Sequence, residues 1–276
     1  FDIPKRDGRT RTICSPAPEL RDVQRRILQR VLRRLRAHPA AHGFERDRSI
    51  VTNAECHAGQ AVVARLDVRD FFPSTRARRI EDYFRKIGWD RESAALLTRL
   101  CAWKGALPQG APTSPRLSNL VNYRLDARLS GLAKAAGAVY TRYADDITFS
   151  FAEEGAARGS KAGRNPKTGR ALDAADMAGR SVGGVLHAAA LILADEGYEV
   201  HTRRKMSVRR RHQRQVVTGL VVNERPRLPR QTRRRLRAIE HALAAGRPVN
   251  LTEAQLAGWR AFAGMVERDG MPDSQA

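Results

Sequence analysis

Cysteines, aromatic residues and long hydrophobic runs are all scarce in this sequence. The cysteines are Cys14, Cys56 and Cys101, and no two of them form a C-x-x-C pair. This spacing argues against a disulfide framework or a zinc knuckle and is typical of a protein of the reducing cytoplasm. No apolar run approaches the roughly 20 residues that a membrane-spanning helix needs. Hydrophobic residues still make up 42% of the 276 positions, which is enough for one large domain or a few subdomains.

Acidic residues are scarce relative to basic ones. Lys and Arg total 51 against 29 Asp and Glu, a formal net charge of +22, and most of the excess is arginine. This excess predicts a polyanionic partner, because each neutralised phosphate releases condensed counterions and a guanidinium forks onto phosphate. A basic amphipathic helix predicted at 19–37 lacks the bulky aromatic residues of a membrane-surface helix. The composition therefore favours nucleic acid, and we expect no membrane partner.

Hydrophobic periodicity predicts an α+β fold. A short, mostly apolar run indicates a buried strand at 61–68, a period of two indicates a hairpin on both sides of Ala144, and spacings of three and four indicate helices. The predicted helices lie at 76–87, 91–103, from Pro115 through Leu129, at 183–196 and at 229–246. A second hairpin is predicted to pair 201–211 with 216–223. The Gly-, Ala- and Arg-rich segment 152–182 is expected to be an exposed, flexible insertion.

Three carboxylates are predicted to converge on one surface patch. Asp67 ends the strand at 61–68, and Asp145 and Asp146 occupy the tip of the first hairpin. Carboxylates a few ångströms apart cannot all stay ionised without compensation. Mg²⁺ compensates them, since it prefers a few carboxylates together with substrate phosphates, and two ions about 4 Å apart stabilise attacking and leaving oxygens. Taken alone, the acid pair fits turn chemistry equally well, because Asp tolerates tight turns.

Four motifs, in order, resemble those of reverse transcriptases. LDVRDFFPS at 66–74 is similar to their first palm motif, and LPQG at 107–110 with Ser114-Pro115 is similar to their LPQG…SP motif. YADD at 143–146 resembles their YxDD box, and VTGLVVN at 217–223 resembles the element before the thumb. The resemblance implies a right-hand polymerase fold, with fingers, an antiparallel palm sheet packed on helices, and a small helical C-terminal thumb.

The implied domains alternate along the chain. We expect fingers at 1–60 and 76–106, palm at 61–75 and 107–224, and thumb at 225–276. The insertion at 152–182 falls inside the palm and is longer than the family pattern leads us to expect. Because the sequence begins with Phe rather than Met, we also expect it to be a fragment of a longer chain.

The resemblance also implies roles for individual residues. The metal site would hold two Mg²⁺ ions, or Mn²⁺, on Asp67, Asp145, Asp146 and the backbone carbonyl of Val68, with Asp146 as the supporting acid. The nucleotide would be held by Lys5, Arg6, Arg11, Asp70, Phe71, Phe72, Gln109 and Gly110. Phe72 lies at the position of the aromatic gate against a 2′-hydroxyl, although core packing explains it as well. Lys205 is the implied proton donor to pyrophosphate.

One further element narrows the resemblance to retron reverse transcriptases. NAECH at 53–57 is similar to their NAxxH element, and Val217-Thr218-Gly219 matches their VTG triplet. This implies a cognate structured non-coding RNA as template and primer, dNTP substrates, a branched RNA-linked DNA product, and an effector protein in anti-phage defence. The implied RNA contacts are Asn53, His57, Arg233, Arg234 and Arg235. A group II intron or other defence enzyme and a non-catalytic RNA-binding scaffold remain the alternatives.

Overall fold

The computed structural model describes residues 1–4, 10–153, 181–201 and 206–269. Its main sheet is antiparallel and consists of β3 (Val62–Asp67), β4 (Ala138–Tyr143), β5 (Asp146–Phe151) and β6 (Ser207–Arg210), in the order β4-β5-β3-β6. Two small antiparallel pairs accompany it, β1 (Asp2–Pro4) with β2 (Thr10–Thr12) and β7 (Val216–Val217) with β8 (Leu220–Val221). Together with the helices, this arrangement confirms the predicted α+β class.

Ten α-helices lie in the described residues. They are α1 (Pro18–Arg30), α2 (Ile50–Glu55), α3 (Phe71–Ser74), α4 (Ala77–Lys86), α5 (Arg91–Cys101), α6 (Ser114–Val121), α7 (Tyr123–Ala135), α8 (Val182–Asp195), α9 (Arg230–Ala244) and α10 (Glu253–Asp269). A 3₁₀ helix at Leu32–Arg34 follows α1. None of these described helices is long and apolar enough to cross a membrane.

Two predicted helices are shorter than expected. The helix predicted at 19–37 ends at Arg30, and the helix predicted from Pro115 onward divides into α6 and α7 at Asn122. The buried Asn122 amide donates hydrogen bonds to the Ser118 carbonyl and to the Tyr198 hydroxyl, both at 2.9 Å. A polar side chain that bonds back to the preceding turn competes with regular helix geometry, which explains the break.

The predicted second hairpin is wrong. Strand β6 pairs with β3 instead, with Arg65 opposite Ser207 and Val62 opposite Arg210. The residues after it form a separate hairpin, β7–β8, whose loop residues Thr218 and Gly219 both have positive φ, as a type I′ turn requires. Strand β3 is buried, so its free edge needs a partner for its backbone hydrogen-bonding groups, and β6 supplies one.

The hydrophobic core has three parts. The largest lies between the main sheet and helices α7 and α8, a second joins α1, α4, α5 and α6, and a third surrounds α2, the β7–β8 hairpin and α10. Strand β3 contributes to the first and the third part, since Val62, Val63 and Ala64 are all at most 1% exposed. Its two buried faces explain why Val62, Val63 and Ala64 are all apolar rather than alternating with polar residues. The sheet end that carries Asp67 is therefore held rigidly from both sides.

Candidate active site

The register of the sheet brings the three predicted acids to one end of it. Asp67, the last residue of β3, pairs with Asp146, the first residue of β5. Asp145 lies in the turn between β4 and β5, and its carbonyl accepts a 3.0 Å hydrogen bond from the amide of Val68. The backbones of residues far apart in sequence thus meet at the same edge, as the strand-end pattern predicted.

Asp146 and Asp67, which pair across the sheet, have different basic neighbours. Asp146 Oδ1 accepts a 2.8 Å hydrogen bond from the guanidinium of Arg65, a half-buried residue on β3. Arg65 precedes Asp67 by two positions, so both side chains project from the same face of the strand. Asp67 in turn lies 3.7 Å from the ring of His201, measured from Oδ2 to Nε2. Sequence analysis missed both of these neighbours, although the i, i+2 spacing of Arg65 and Asp67 on a predicted strand was a usable indication.

The donors at this edge fit a magnesium ion that is shared with a substrate. Within the described residues, no three His, Cys, Asp or Glu side chains already surround a common metal position. The carboxylate of Asp146 is engaged by Arg65. Mg²⁺ uses one or two carboxylates and completes its shell with water and phosphate oxygens. The hard oxygen donors of Asp67 and Asp145 match that requirement, and Mn²⁺ accepts the same donor type.

The Phe71–Phe72 pair divides its two side chains between core and surface. Phe71 is 4% exposed and stacks on Tyr198, with the ring centroids 5.7 Å apart. Phe72 is half-buried and packs against both the first and the second part of the core. Its ring lies 6.2 Å from that of Phe44, which lies 6.5 Å from that of Tyr143. Phe72 is therefore both a packing residue and partly accessible beside the acidic turn.

The Gln109–Gly110 loop lies against the segment after β2. The Gln109 carbonyl accepts a 2.7 Å hydrogen bond from the amide of Cys14. Gly110 has a φ of +114°, and a Cβ there would come within 2.7 Å of the Cys14 carbonyl oxygen. Gly110 was predicted to contact the nucleotide. The neighbouring backbone already requires a glycine at this position, because no side chain would fit there.

The remaining residues predicted to act on the nucleotide are either exposed or outside the described residues. Arg11 is exposed on β2, and Asp70 is exposed in the left-handed region with a φ of +44°. Val68 forms an antiparallel bridge with Val200 next to the acids. Lys5, Arg6 and Lys205 lie outside the described residues, as does almost all of the predicted insertion at 152–182.

The amino-acid sequence matches the model of a known protein family, and this match identifies the fold. Residues 3–162 match the family model described as reverse transcriptase (RNA-dependent DNA polymerase), which is more than half of the chain. The chain belongs to the reverse transcriptase family. Its sheet and helices are accordingly the palm and fingers fold of that family, as the motifs predicted.

Three relatives show the type of reverse transcriptase. The chain is 41% identical to the retron Mx162 reverse transcriptase of Myxococcus xanthus, over 97% of the chain and 57% of that protein. It is 37% identical to the retron Mx65 enzyme of the same organism, over 96% of the chain and 60% of that protein. It is 33% identical to the retron Ec86 enzyme of Escherichia coli, over 93% of the chain and 72% of that protein. The chain belongs to the retron type of this family, and it spans 57–60% of the length of the two Myxococcus proteins.

In this reverse transcriptase, the NAxxH element is buried. Asn53 is 1% exposed and His57 is fully buried. The His57 ring lies 2.7 Å from the hydroxyls of both Ser150 and Thr141, which joins the segment after α2 to the hairpin that carries YADD. This burial argues against a direct contact of Asn53 and His57 with RNA, and the predicted contact stays a prediction. A buried histidine whose two ring nitrogens both find hydroxyls stabilises the fold.

Burial lowers the pKa of His57 to about 3, which predicts acid sensitivity. Unfolded histidine binds a proton near pH 6.5, so between about pH 6.5 and 3 the unfolded state binds more protons than the folded state. The free energy of unfolding should then decrease as the pH falls, by up to about 1.4 kcal/mol per pH unit. Urea unfolding measures the free energy of unfolding at each pH. This free energy should decrease less steeply with falling pH in His57→Gln than in the wild type. Equal slopes would show that another group causes the pH dependence.

The predicted thumb contacts lie on α9. Arg233, Arg234 and Arg235 are all exposed, while Leu236 on the same helix packs against the third part of the core. The helix thus packs a partly buried leucine against the core and presents guanidinium groups to solvent, the arrangement that phosphate binding needs. Their contact with RNA stays a prediction.

Proposed function

We propose that the chain is an RNA-directed DNA polymerase that adds dNTPs by two-metal-ion nucleotidyl transfer. The observation that carries the proposal is the β3–β5 register, which aligns Asp67 with Asp146 and brings the Asp145 carbonyl to Val68. Bound Mg²⁺, or Mn²⁺, would supply Lewis-acid stabilisation of the attacking and leaving oxygens. Membership in the reverse transcriptase family supports this chemistry.

Individual residues of the chain would bind the metal ions, bind the nucleotide and donate a proton. Asp67 and Asp145 would hold the metal ions with the Val68 carbonyl, while Asp146, paired with Arg65 at 2.8 Å, would act as the supporting acid. Arg11, with Lys5 and Arg6, would bind the triphosphate through charge-assisted hydrogen bonds. Asp70, Phe71, Gln109 and Gly110 would shape the nucleotide position, and Lys205 would protonate the pyrophosphate. The domain boundaries given above, with the thumb at 225–276, belong to the same proposal.

We further propose that the template and primer are a cognate structured non-coding RNA. Synthesis would begin at a 2′-hydroxyl of a guanosine in that RNA and yield branched RNA-linked single-stranded DNA. The retron enzymes to which the chain is similar support this assignment. The net charge of +22 supports binding to RNA phosphates. A cytoplasmic location and an effector partner in anti-phage defence complete the proposal.

Product analysis tests both the polymerase activity and the branched retron-type product. Expressing the chain with its native flanking DNA, treating total nucleic acid with RNase and separating the products should reveal short DNA that retains a covalently attached ribonucleotide. The double variant Asp145→Asn/Asp146→Asn should yield none. DNA made by the double variant would contradict the metal assignment, whereas unbranched DNA from the wild type would contradict the retron-type product but retain the polymerase. Binding of RNA with no DNA product under any condition would favour the non-catalytic scaffold.

Phe72→Ala should weaken sugar discrimination. Its half-buried ring lies beside Phe44 at the acidic edge, where removal would open space for a 2′-hydroxyl. We expect the ratio of kcat/KM for dNTP to that for the matching ribonucleotide to fall about 10- to 100-fold. Trp89→Ala, which removes a partly exposed aromatic residue of the predicted fingers, is the control and should keep the wild-type ratio. An unchanged ratio in Phe72→Ala would mean that Phe72 serves only packing.

A further inference from the structure

The turn that carries Asp145 has a backbone conformation that needs support from its surroundings. Ala144, the first residue of the turn, has a φ of +57°. A non-glycine residue in this left-handed region costs about 1–2 kcal/mol and persists only where neighbouring contacts hold it. The position of the Asp145 backbone depends on this turn, because it immediately follows Ala144. The contacts that hold Ala144 therefore decide where the carboxylate of Asp145 lies.

One support comes from Arg142, a fully buried arginine on β4. Its guanidinium binds Asp126 in a bidentate manner, from Nε to Oδ1 at 2.8 Å and from Nη2 to Oδ2 at 2.6 Å. The remaining terminal nitrogen, Nη1, donates to the Ala144 carbonyl at 3.2 Å and to Asn119 Oδ1 at 3.1 Å. A rigid planar fork that is fixed on one side can direct its other side at a single backbone carbonyl.

A second support is the extended segment 40–43. The Ala40 carbonyl accepts a 2.8 Å hydrogen bond from the amide of Arg142, and the amide of His42 donates to the Arg142 carbonyl at 2.8 Å. Gly43 then lies directly against the turn, because a Cβ at this position would come within 2.7 Å of the Ala144 nitrogen. The segment thus forms an isolated parallel bridge with β4 at Ala41 and covers the turn from the side.

Asn119 on α6 connects the two supports. Its Oδ1 accepts the hydrogen bond from Arg142, while its Nδ2 donates to the Gly43 carbonyl at 2.6 Å and to Glu45 Oε1 at 2.7 Å. Glu45 is further bound by Arg116, which also donates to the carbonyl of Leu32 at 3.3 Å. Asn119 is fully buried, so its three contacts have no competition from water.

We propose that Gly43, Asn119 and Arg142, here called the turn clamp, are positioning residues that hold Ala144 and Asp145 in the geometry required for nucleotidyl transfer. The proposal rests on the function proposed above and adds residues that none of the four sequence motifs singled out for a role. The clamp acts on the turn backbone and has no predicted contact with substrate. Its loss should therefore lower kcat while leaving substrate binding largely intact.

Asn119→Ala tests the clamp with the least disturbance, because Arg142 keeps its partner Asp126. We expect kcat for dNTP addition to fall about 10- to 100-fold, since a displacement of about 1 Å costs that much. The KM for dNTP should stay within about threefold of the wild type, as for an interaction used in the transition state. Arg142→Lys, which keeps the charge but loses the fork, should give the same division between kcat and KM.

Hydrogen exchange supplies a readout that does not depend on activity. The amide of Val68 is bonded to the Asp145 carbonyl, so it reports directly whether the turn stays beside β3. In Asn119→Ala and Arg142→Lys, exchange at this amide should become about tenfold faster or more, because exchange follows local opening. Gln24→Ala is the matched control, since it removes a buried 2.8 Å amide bond to the Leu100 carbonyl, away from the turn.

The outcomes separate the clamp from the proposed polymerase function. Wild-type protein without DNA synthesis would contradict the polymerase, and faster Val68 exchange in the variants would still support the clamp. Unchanged Val68 exchange in folded Asn119→Ala and Arg142→Lys would overturn the clamp, whatever their activity. An equal loss of kcat in Gln24→Ala would also overturn it, because general destabilisation would then explain the effect. Gly43→Ala, which pushes a methyl group against the turn, should reproduce the loss of kcat.

Discussion

Asp145→Asn and Asp67→Asn should each lower kcat for dNTP addition by about 10³-fold or more, equivalent to about 4 kcal/mol of transition-state stabilisation. The physical reason is that each change removes a negative oxygen donor from a site that must hold divalent cations against a triphosphate. Single-nucleotide extension of an annealed primer on an RNA template, at saturating Mg²⁺, measures the effect. RNA binding should be retained, because the basic surfaces are untouched.

Asp146→Asn should have a smaller effect than either of these changes. The carboxylate of Asp146 is already paired with Arg65 at 2.8 Å. The positive charge of Arg65 weakens the attraction of this carboxylate for a metal ion. Asp195→Asn, a change at an exposed carboxylate at the end of α8 bound to Arg128, is the control and should behave as the wild type. Equal losses in the Asp67, Asp145 and Asp146 variants would show that the three acids are equivalent ligands and that the Arg65 pairing is displaced in the working enzyme.

Asp126→Leu should destabilise the protein by about 3–5 kcal/mol, the usual cost of leaving one member of a buried ion pair without its partner. Both Asp126 and Arg142 are fully buried. Burial alone would lower the pKa of Arg142, but the Asp126 carboxylate outweighs it and raises that pKa above its ordinary value. Asp126→Leu removes that compensation, but the guanidinium stays charged, because an arginine side chain is not deprotonated in proteins. Urea unfolding at neutral pH measures the loss.

A triple variant separates the stability of this pair from its effect on the turn. Tyr140 donates a 2.8 Å hydrogen bond to Asp126, so Tyr140→Phe must accompany Asp126→Leu and Arg142→Met. Replacing a whole buried polar group by apolar residues is often neutral, and we expect most of the lost stability to return. Activity should remain low, because no donor reaches the Ala144 carbonyl. A triple variant with wild-type kcat would show that the pair serves only folding.

Much of the site could be predicted from the sequence because the relevant features are local. Alternating residues on both sides of Ala144 predicted the hairpin, and a run of apolar residues before Asp67 predicted the buried strand that β3 confirms. The four motifs also indicated the family that the comparisons show. The prediction of the second hairpin was wrong, because β6 pairs with β3, about 145 residues earlier in the chain. Periodicity carries no information about which strands pair.

The sequence by itself determined the charge, the α+β class, the family and the identity of the three acids, since these depend on composition and on residues within short segments. Only the tertiary structure decided that Asp146 is paired with Arg65, that His57 is buried, and that Asn119 and Arg142 hold the turn. Each of these contacts joins residues on different elements. Their distances follow from strand register and helix packing, which no local pattern encodes.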